Sequence, residues 1–428
     1  MADLTHAFAE GDLLRLATAG SVDDGKSTLI GRLLFDSKAT FDDQIEAVER
    51  TSKQRGDEYV DLALLTDGLR AEREQGITID VAYRYFATPK RRFILADTPG
   101  HVQYTRNMVT GASTANLALV LVDARNGVLE QTRRHAYISA LLGIPHFALC
   151  VNKMDLVEWD QAIFDAITSE FRAFAAKLGI EDVSAIPVSA LLGDNVVDRS
   201  KNTPWYDGPS VLEYLETIEL ASDHNLRDGR FPVQYVVRPM SHEHHDYRGY
   251  AGAVASGVFK PGDRVVVLPA GIETTLASIE TRDGALDEAF PPMSVTLRLA
   301  DDIDVSRGDM ISDVDNPPLA TRDFEAMVCW MTKDYTLTPG ARLGIKHTTR
   351  SARVVVEEIE SRLDVNTLEL DTDADSLVLN EIGRLRLRTN TPLLIDPYKT
   401  NRATGSFILI DEASNHTVAG GVILAADG

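Results

Sequence analysis

The stretch GSVDDGKST, residues 20–28, decides the fold of the first half of this chain. It fits the pattern G-x-x-x-x-G-K-[ST], follows the strand-like run LRLATA and precedes the amphipathic run STLIGRLLF. In this context the glycines let backbone N–H groups close around phosphates, and the helix N-terminus adds a favourable dipole. The residues expected at the phosphates are Gly20, Ser21, Val22, Asp23, Asp24, Gly25, Lys26, Ser27 and Thr28. Lys26 would reach the β- and γ-phosphates, and Ser27 would ligate Mg²⁺.

Around this loop, residues 12 to about 215 alternate apolar runs with longer amphipathic ones. The runs RRFILAD, NLALVLVDA, HFALCVN and SAIPVSA are nearly continuous in apolar residues, which is typical of strands buried on both faces of a parallel sheet. Helical periodicity marks EQTRRHAYISALLG and DQAIFDAITSEFRAFAAKLG between them. The alternation predicts an α/β phosphate-loop domain with a mostly parallel sheet.

The second half of the chain has a different character. Beyond about residue 231, short β-rich runs recur between turn sequences such as KPGD, RDG and TPGA, which predicts two β-domains that are either barrels or sandwiches. The stretch DVDNPPLATRDF is the most linker-like between them. We therefore predict three domains, at residues 1–221, 222–317 and 318–428.

Composition restricts the classes of function. Hydrophobic residues make up 44% of the chain and charged residues 25%, as in ordinary globular proteins, and neither a secretory signal nor a membrane-spanning apolar run is visible. The net charge of −22 disfavours nucleic acid as a partner. Cys150 and Cys329 lie in apolar runs, as buried free thiols do in a reducing compartment. We expect a cytoplasmic protein that binds no membrane.

A second motif follows the apolar run FILA. Asp97, Thr98, Pro99 and Gly100 stand where open α/β sheets place ligand-binding groups, at the carboxyl end of a strand. Asp97 would hold Mg²⁺ through water, and Gly100 would offer its N–H to the γ-phosphate. His101 comes next, and we predict that it orients the attacking water, because phosphoryl-transfer sites work mainly by positioning.

A third motif selects the base. It comprises Asn152, Lys153, Met154 and Asp155. The Asp155 carboxylate can accept both edge N–H groups of guanine, whereas adenine presents an acceptor where guanine has N1–H, so the wrong base would leave buried polar groups unpaired. After the last strand of this half, Ser189, Ala190 and Leu191 stand where a backbone N–H would meet guanine O6. The predicted nucleotide is GTP.

The segment REQGITI, residues 73–79, supplies a hydroxyl ahead of the Asp97 strand. We predict that Thr78 completes Mg²⁺ coordination only when a γ-phosphate is present, which would make this segment a switch. The predicted metal ligands are thus Ser27, Thr78 and Asp97.

Together, GSVDDGKS, EREQGITID, DTPGH, NKMD and SAL resemble translation-factor-type GTPases of the elongation factor Tu class. Within that class the chain resembles the large, GTP-hydrolysing subunits of bacterial sulfate adenylyltransferases, through QYTRNMVTGAS, DARNGVLEQTRRHAYI, RGYAGAVASG, LNEIGRLRL and NRATGSFILID. Translation factors usually read GHVDHGKT where this chain has Ser21, Asp24 and Ser27. Val102, where an acid is more usual, and the long stretch MSHEHHDYRGY depart from the subfamily pattern.

The resemblance implies that the two β-domains after the GTP-binding domain are β-barrels, and it also implies an activity. It implies that GTP hydrolysis is coupled to the reaction of ATP and sulfate to give adenosine 5′-phosphosulfate and diphosphate, the first step of sulfate assimilation. It also implies that a small catalytic ATP sulfurylase subunit, in a heterodimer or higher assembly, binds ATP and sulfate and carries the adenylyl transfer. The sequence agrees in showing no second nucleotide motif. No fused adenylylsulfate kinase is expected after AGGVILAADG.

The resemblance also bears on residue roles. It implies an apolar gate of Val22 and Ile77 beside His101, and a monovalent cation near Asp23. The imidazoles of His242, His244 and His245 could bind a metal, but their polar setting indicates an exposed loop. Two other functions stay open: a translation elongation factor-like GTPase that delivers tRNA, and a GTP-switched binding module without turnover.

Overall fold

The computed structural model describes residues 13–37, 62, 78, 80–101, 104–220, 225–239 and 247–426. The chain divides into two compact units, residues 1–223 with 365–367, and residues 224–364 with 368–428. None of the helices in these described ranges has the length and apolar character needed to span a membrane.

A sheet of six described strands forms the centre of the first unit. The strands are β1 (Leu13–Ala19), β2 (Ala82–Ala87), β3 (Arg92–Asp97), β4 (Leu117–Asp123), β5 (His146–Asn152) and β6 (Val183–Pro187). Their order is β2-β3-β1-β4-β5-β6, and every neighbouring pair is parallel except β2 with β3. All seven residues of β4 are buried, as expected for a central strand covered on both faces.

Helices accompany this sheet. They are α1 (Lys26–Asp36), α2 (Thr105–Ala112), α3 (Glu130–Leu141), α4 (Gln161–Lys177) and α5 (Val211–Thr217), with a 3₁₀ turn at Met154–Val157. The helix α4 begins where the Asp160 carboxylate accepts the N–H of Ala162 at 2.7 Å, a side-chain cap of the kind aspartate commonly provides. Apolar side chains from β1, β3, β4 and α1 meet in one core, including Leu16, Phe93, Leu119 and Leu29.

Parallel strands bring their carboxyl ends to the same edge of the sheet. The residues after β1, β3 and β5, which begin with Gly20, Thr98 and Lys153, therefore lie together at that edge. The predicted run SAIPVSA leaves the sheet at Pro187, so its last three residues lead into a turn at the same edge.

The second unit begins with a barrel. Its strands are β7 (Arg230–Val237), β8 (Gly249–Ala253), β9 (Arg264–Leu268), β10 (Ile272–Thr281), β11 (Gly284–Leu286), β12 (Ser294–Leu299) and β13 (Met310–Asp313). Pairing runs β10-β12-β8-β7-β13-β9, and β9 pairs with β10 again, so six of these described strands close a ring. Closure removes the exposed strand edges that promote aggregation.

A second barrel follows in the same unit. Its strands are β14 (Leu319–Trp330), β15 (Arg342–His347), β16 (Arg350–Leu363), β17 (Leu370–Asp371), β18 (Ile382–Ile395), β19 (Ser406–Ile410) and β20 (Thr417–Ala426). The ring β15-β19-β20-β14-β18-β16 closes through β15 and β16. The predicted fold class, an α/β phosphate-loop domain followed by two β-barrels, is confirmed. The exact domain boundaries stay predictions.

Candidate nucleotide-binding site

A cavity of about 490 Å³ opens at the carboxyl edge of the parallel sheet, within the size range of small-molecule sites. Its walls come from the loop after β1, the segments after β3 and β5, and the turn after β6. It is lined by Val22, Asp23, Gly25, Lys26, Ser27, Thr28, Leu62, Thr78, Gly100, His101, Arg125, Asn152, Lys153, Asp155, Leu156, Ser189, Ala190 and Leu191.

Backbone conformation explains the glycines of the first loop. Gly20 and Gly25 have φ values of 136° and 92°, a region that disfavours side chains. A Cβ at Gly25 would also lie 2.3 Å from the Nδ2 atom of Asn152. The loop therefore wraps closely around the start of α1, as a phosphate-binding loop must.

Lys26 lies inside this loop. Its ammonium donates to the carbonyl oxygens of Gly20 at 3.2 Å and Ser21 at 2.7 Å. Burial lowers the pKa of Lys26, and the nearby carboxylates of Asp97, Asp24 and Asp23 act in the opposite direction. A phosphate anion would favour the charged form of this ammonium further.

Two buried side chains hold the back of the loop. The Asp24 carboxylate accepts the N–H of Ser21 at 2.6 Å, and the Nδ1 atom of His135 accepts the N–H of Gly20 at 3.1 Å. Burial raises the pKa of Asp24, and burial next to Lys26 lowers the pKa of His135 to about 3. His135 is therefore neutral at physiological pH, and its Nδ1 is free of a proton to accept from Gly20.

The three predicted metal ligands lie together. The Ser27 hydroxyl donates to Oδ2 of Asp97 at 3.1 Å and lies 3.3 Å from the Thr78 hydroxyl. Thr18 fixes Asp97 by donating to its Oδ1 atom at 3.3 Å. Hydroxyl and carboxylate oxygens are the ligands that Mg²⁺ prefers, so these side chains fit a magnesium ion completed by water and phosphate oxygens.

The segment after β3 passes close to the phosphate loop. A Cβ at Gly100 would lie 2.5 Å from the Nζ atom of Lys26 and 3.1 Å from backbone atoms of Ser21, so the two segments are in close contact here. His101 lines the cavity and makes an edge contact with Tyr104, the ring centroids being 6.2 Å apart. Thr98 is buried behind the site, where its N–H donates to the Thr18 hydroxyl at 3.1 Å.

Asn152 connects the two ends of the cavity. Its amide nitrogen donates to the carbonyl oxygen of Asp24 at 2.8 Å, and its amide oxygen accepts the N–H of Ala190 at 2.9 Å. The side chain thus ties the phosphate loop to the turn after β6. Met154 is fully buried beneath this connection.

A network of charged residues sets the position of Lys153. The Lys153 ammonium lies 3.0 Å from a carboxylate oxygen of Asp123 and also donates to the carbonyl oxygen of Asp23. Arg125 binds the same carboxylate through two guanidinium nitrogens, at 2.6 and 3.0 Å. Burial opposes ionisation of Asp123, but these hydrogen bonds outweigh it and hold the pKa at about 2.

Asp155 has a carboxylate oxygen that lacks a hydrogen-bond donor within the described part of the chain. Its Oδ1 atom is buried and accepts no hydrogen bond from any described residue. The Asp155 residue borders the cavity. A buried oxygen without a donor is costly, so a ligand that donates N–H groups here is strongly favoured. Such a ligand matches the base-reading role predicted for Asp155.

The structure brings most of the predicted site residues to one cavity. The predicted site residues that do not line it are Gly20, Ser21, Asp24, Asp97, Thr98, Pro99 and Met154. Sequence reasoning missed Leu62, Arg125 and Leu156, which also line it. The run DARNG held a signal for Arg125, because it directly follows the buried strand β4. Residues 73–77, 79, 102, 242, 244 and 245, on which other predictions fell, lie outside the described residues.

Comparison with protein families agrees with this geometry. The elongation factor Tu GTP binding domain matches residues 12–224. The family described as GTP-eEF1A C-terminal domain-like matches residues 323–424.

Curated relatives match over nearly the whole chain. The bifunctional enzyme CysN/CysC of Mycobacterium tuberculosis is 64% identical over 412 residues, which cover 96% of this chain and 67% of that enzyme. Sulfate adenylyltransferase subunit 1 of Bacteroides thetaiotaomicron is 56% identical over 96% of this chain and 86% of its own length. The subunit 1 of Aeromonas hydrophila is 52% identical over 98% of this chain and 87% of its own length.

Proposed function

This chain belongs to the sulfate adenylyltransferase subunit 1 family, and from that membership we propose that it is the GTPase subunit of such an enzyme. In this proposal, hydrolysis of GTP is coupled to the reaction of ATP and sulfate to adenosine 5′-phosphosulfate and diphosphate. This reaction would be the first step of sulfate assimilation. Forming the phosphosulfate anhydride is uphill, which gives a reason for coupling.

One observation carries the proposal. The hydroxyls of Ser27 and Thr78 line the same cavity as Asp155, whose Oδ1 atom has no partner among the described residues, and Asp97 accepts from Ser27 beside it. This arrangement suits a magnesium-bound triphosphate attached to a base that presents N–H donors. Guanine is such a base. Asn152 links the phosphate loop to the turn after β6 through its hydrogen bonds with Asp24 and Ala190.

We propose that the chain's own residues bind and orient the triphosphate. Lys26 would exchange its two carbonyl acceptors for phosphate oxygens, and the N–H of Gly100 would bind the γ-phosphate. Mg²⁺ held by Ser27, Thr78 and, through water, Asp97 would neutralise charge on the phosphates. His101, at the cavity wall beside Gly100, would hold the attacking water in line.

The adenylyl transfer is assigned to a second subunit. The name "subunit 1" carried by the relatives implies a partner, and we propose a small ATP- and sulfate-binding subunit in a heterodimer or a higher assembly. The sequence supports this division, because only one phosphate-loop motif is legible in it. The division into domains at residues 1–221, 222–317 and 318–428, and a cytoplasmic location, remain part of the proposal.

A reconstitution experiment tests the proposal. The chain is co-expressed and purified with the small subunit encoded in its own genome. Release of phosphate from GTP and formation of adenosine 5′-phosphosulfate are then measured, with and without ATP and sulfate. We expect formation of adenosine 5′-phosphosulfate that rises with GTP and falls with a non-hydrolysable GTP analogue. Unchanged phosphosulfate formation without GTP would overturn the coupling. Capture of aminoacyl-tRNA in place of a small subunit would favour the elongation-factor alternative.

A further inference from the structure

The arginine Arg32 on α1 reaches the turn predicted to meet guanine O6. Its Nε atom donates to the carbonyl oxygen of Ala190 at 3.3 Å, and its Nη2 atom donates to the carbonyl oxygen of Leu191. Its Nη1 atom pairs with Asp36, one turn later on the same helix, at 3.4 Å. The side chain is only 18% exposed, so these contacts are held in place by packing.

The other N–H groups of this turn already have acceptors. Ala190 donates to Asn152, Leu192 donates to the Ser189 hydroxyl at 3.3 Å, and Gly193 donates to the Ser189 carbonyl oxygen at 2.8 Å. Within the described part of the chain, the N–H of Leu191 donates to no acceptor, and Leu191 lines the cavity. Leu191 is therefore the residue of this turn whose N–H is available to a base.

Peptide planarity links Arg32 to that N–H. The carbonyl of Ala190 and the N–H of Leu191 belong to one planar trans peptide group, so they point in opposite directions. Arg32 fixes the carbonyl, and it thereby fixes the direction of the N–H. The turn also approaches α1 closely, because a Cβ at Gly193 would lie 3.1 Å from an Asp36 carboxylate oxygen and 3.4 Å from Cδ of Arg32.

From these contacts we infer that Arg32 is a positioning residue for base selection, which directs the N–H of Leu191 at O6 of guanine. The inference rests on the proposed binding of GTP and adds to it a residue outside the predicted motifs. Asp155 reads N1 and N2 of the base, whereas Arg32 acts only on the reading of O6. The two contributions are therefore separable by the choice of base.

The experiment compares three triphosphates in the full chain, or in its complex with the small subunit. GTP has all the groups in question. The triphosphate of 6-thioguanosine lacks O6, which is replaced by the more weakly accepting sulfur, and keeps N1–H and the N2 amino group, whereas inosine triphosphate lacks the N2 amino group. The variant Arg32→Met keeps the apolar stem and removes the donors. The matched control is Arg91→Met, because Arg91 also donates to two carbonyl oxygens, those of Leu215 and Ile218 at 3.0 and 2.7 Å, away from the cavity.

In Arg32→Met we expect KM for GTP to rise about tenfold, the value of one lost hydrogen bond, with kcat within about twofold of wild type. The preference for GTP over the O6-lacking triphosphate should shrink by the same factor, and the preference over inosine triphosphate should be unchanged. Arg32→Lys, which can donate to one carbonyl oxygen, should be intermediate. Arg91→Met should leave all three ratios at their wild-type values.

Two outcomes would overturn the inference. One is an O6 preference in Arg32→Met equal to wild type, and the other is an equal loss for all three triphosphates, which would mean that Arg32 only stabilises the fold. A wild-type chain that fails to prefer GTP over either analogue would instead count against the proposed function, so the two failures are distinguishable.

Discussion

The amide nitrogen of Asn152 lies 2.8 Å from the carbonyl oxygen of Asp24, across 128 residues of sequence. Through this hydrogen bond and the one to Ala190, a single buried side chain joins the loop expected to hold phosphate and the turn expected to read the base. The geometry of the loop is therefore tied to the geometry of the turn.

Replacement of Asn152 by alanine should weaken binding of the whole nucleotide. The change leaves the Asp24 carbonyl and the Ala190 N–H without their partner, at about 1–3 kcal/mol for each buried group. We expect the dissociation constants of GTP and GDP to rise by at least about tenfold, measured with a fluorescent analogue. Asn116→Ala is the control, because Asn116 accepts the N–H of Arg15 at the opposite end of the sheet. Equal affinities in both variants would contradict the connecting role.

Replacement of Asp155 by asparagine should change the base preference. An asparagine amide can donate to a carbonyl at the position of the guanine amino group, and xanthine has such a carbonyl. The kcat/KM for xanthosine triphosphate should therefore rise relative to that for GTP. A change in the ratio of the two kcat/KM values on the order of 10² is expected, as for sites that leave buried polar groups unpaired with the wrong base. Steady-state hydrolysis of both triphosphates measures it. A wild-type ratio would mean that Asp155 does not contact the base.

The His101→Ala variant should bind GTP but hydrolyse it slowly. His101 borders the cavity beside Gly100, and its ring contacts only the edge of Tyr104 among the aromatic rings of the described residues, so its removal leaves the binding loops intact. We expect a loss on the order of 10² in kcat at a nearly unchanged dissociation constant. Single-turnover hydrolysis with the small subunit present gives the rate. Turnover at the wild-type rate would assign the positioning of water to another group.

Much of this site could be predicted from sequence because its residues occur in short motifs at strand ends. The order of strands then needed only the rule that parallel strands share an edge, which brings Asp97 and Lys26 together. Edge strand β2 was not predicted, since Tyr83 and Tyr85 are exposed and break the apolar run expected of a buried strand.

The supporting residues could not be predicted in the same way. Arg32 meets Ala190 across 158 residues of sequence, and His135 meets Gly20 across 115. Neither partner leaves a local pattern, because the hydrogen bonds go to backbone atoms that every residue has. Arg125 could be predicted in part. Its contact with Asp123 is local in sequence, but its place in the cavity wall depends on the fold.

Asp123 should make stability depend on pH in the acidic range. Its pKa in the folded chain is about 2, below the ordinary value for aspartate, because Arg125 and Lys153 favour the charged form. The contribution of ionised Asp123 to the free energy of unfolding is therefore present above about pH 4 and is lost as the pH falls towards 2. In Asp123→Asn the free energy of unfolding, from urea titrations, should be lower than wild type at pH 6, and this difference should narrow on acidification. A difference that stays constant down to pH 3 and below would contradict the assignment.

A buried ion pair joins the two barrels of the second unit. Arg230 begins β7 of the first barrel, and Asp396 directly follows β18 of the second; the guanidinium binds both carboxylate oxygens at 2.9 Å. Thr404 donates to the same carboxylate at 2.6 Å, and Arg230 also donates to the carbonyl oxygen of Asn316 at 2.7 Å. The Arg230 side chain is 2% exposed, so loss of its partner would leave a buried guanidinium charge without a counter-ion.

Asp396→Asn should therefore destabilise the chain by about 3 kcal/mol or more, measured by urea unfolding of the full chain. The double variant Arg230→Met with Asp396→Leu should recover most of this loss, since it removes both charges and retains apolar volume. Glu412→Gln is the matched control, because its pair with Arg353 is exposed and should be worth less than about 1 kcal/mol. If Asp396→Asn cost no more than Glu412→Gln, the buried pair would not hold the two barrels together.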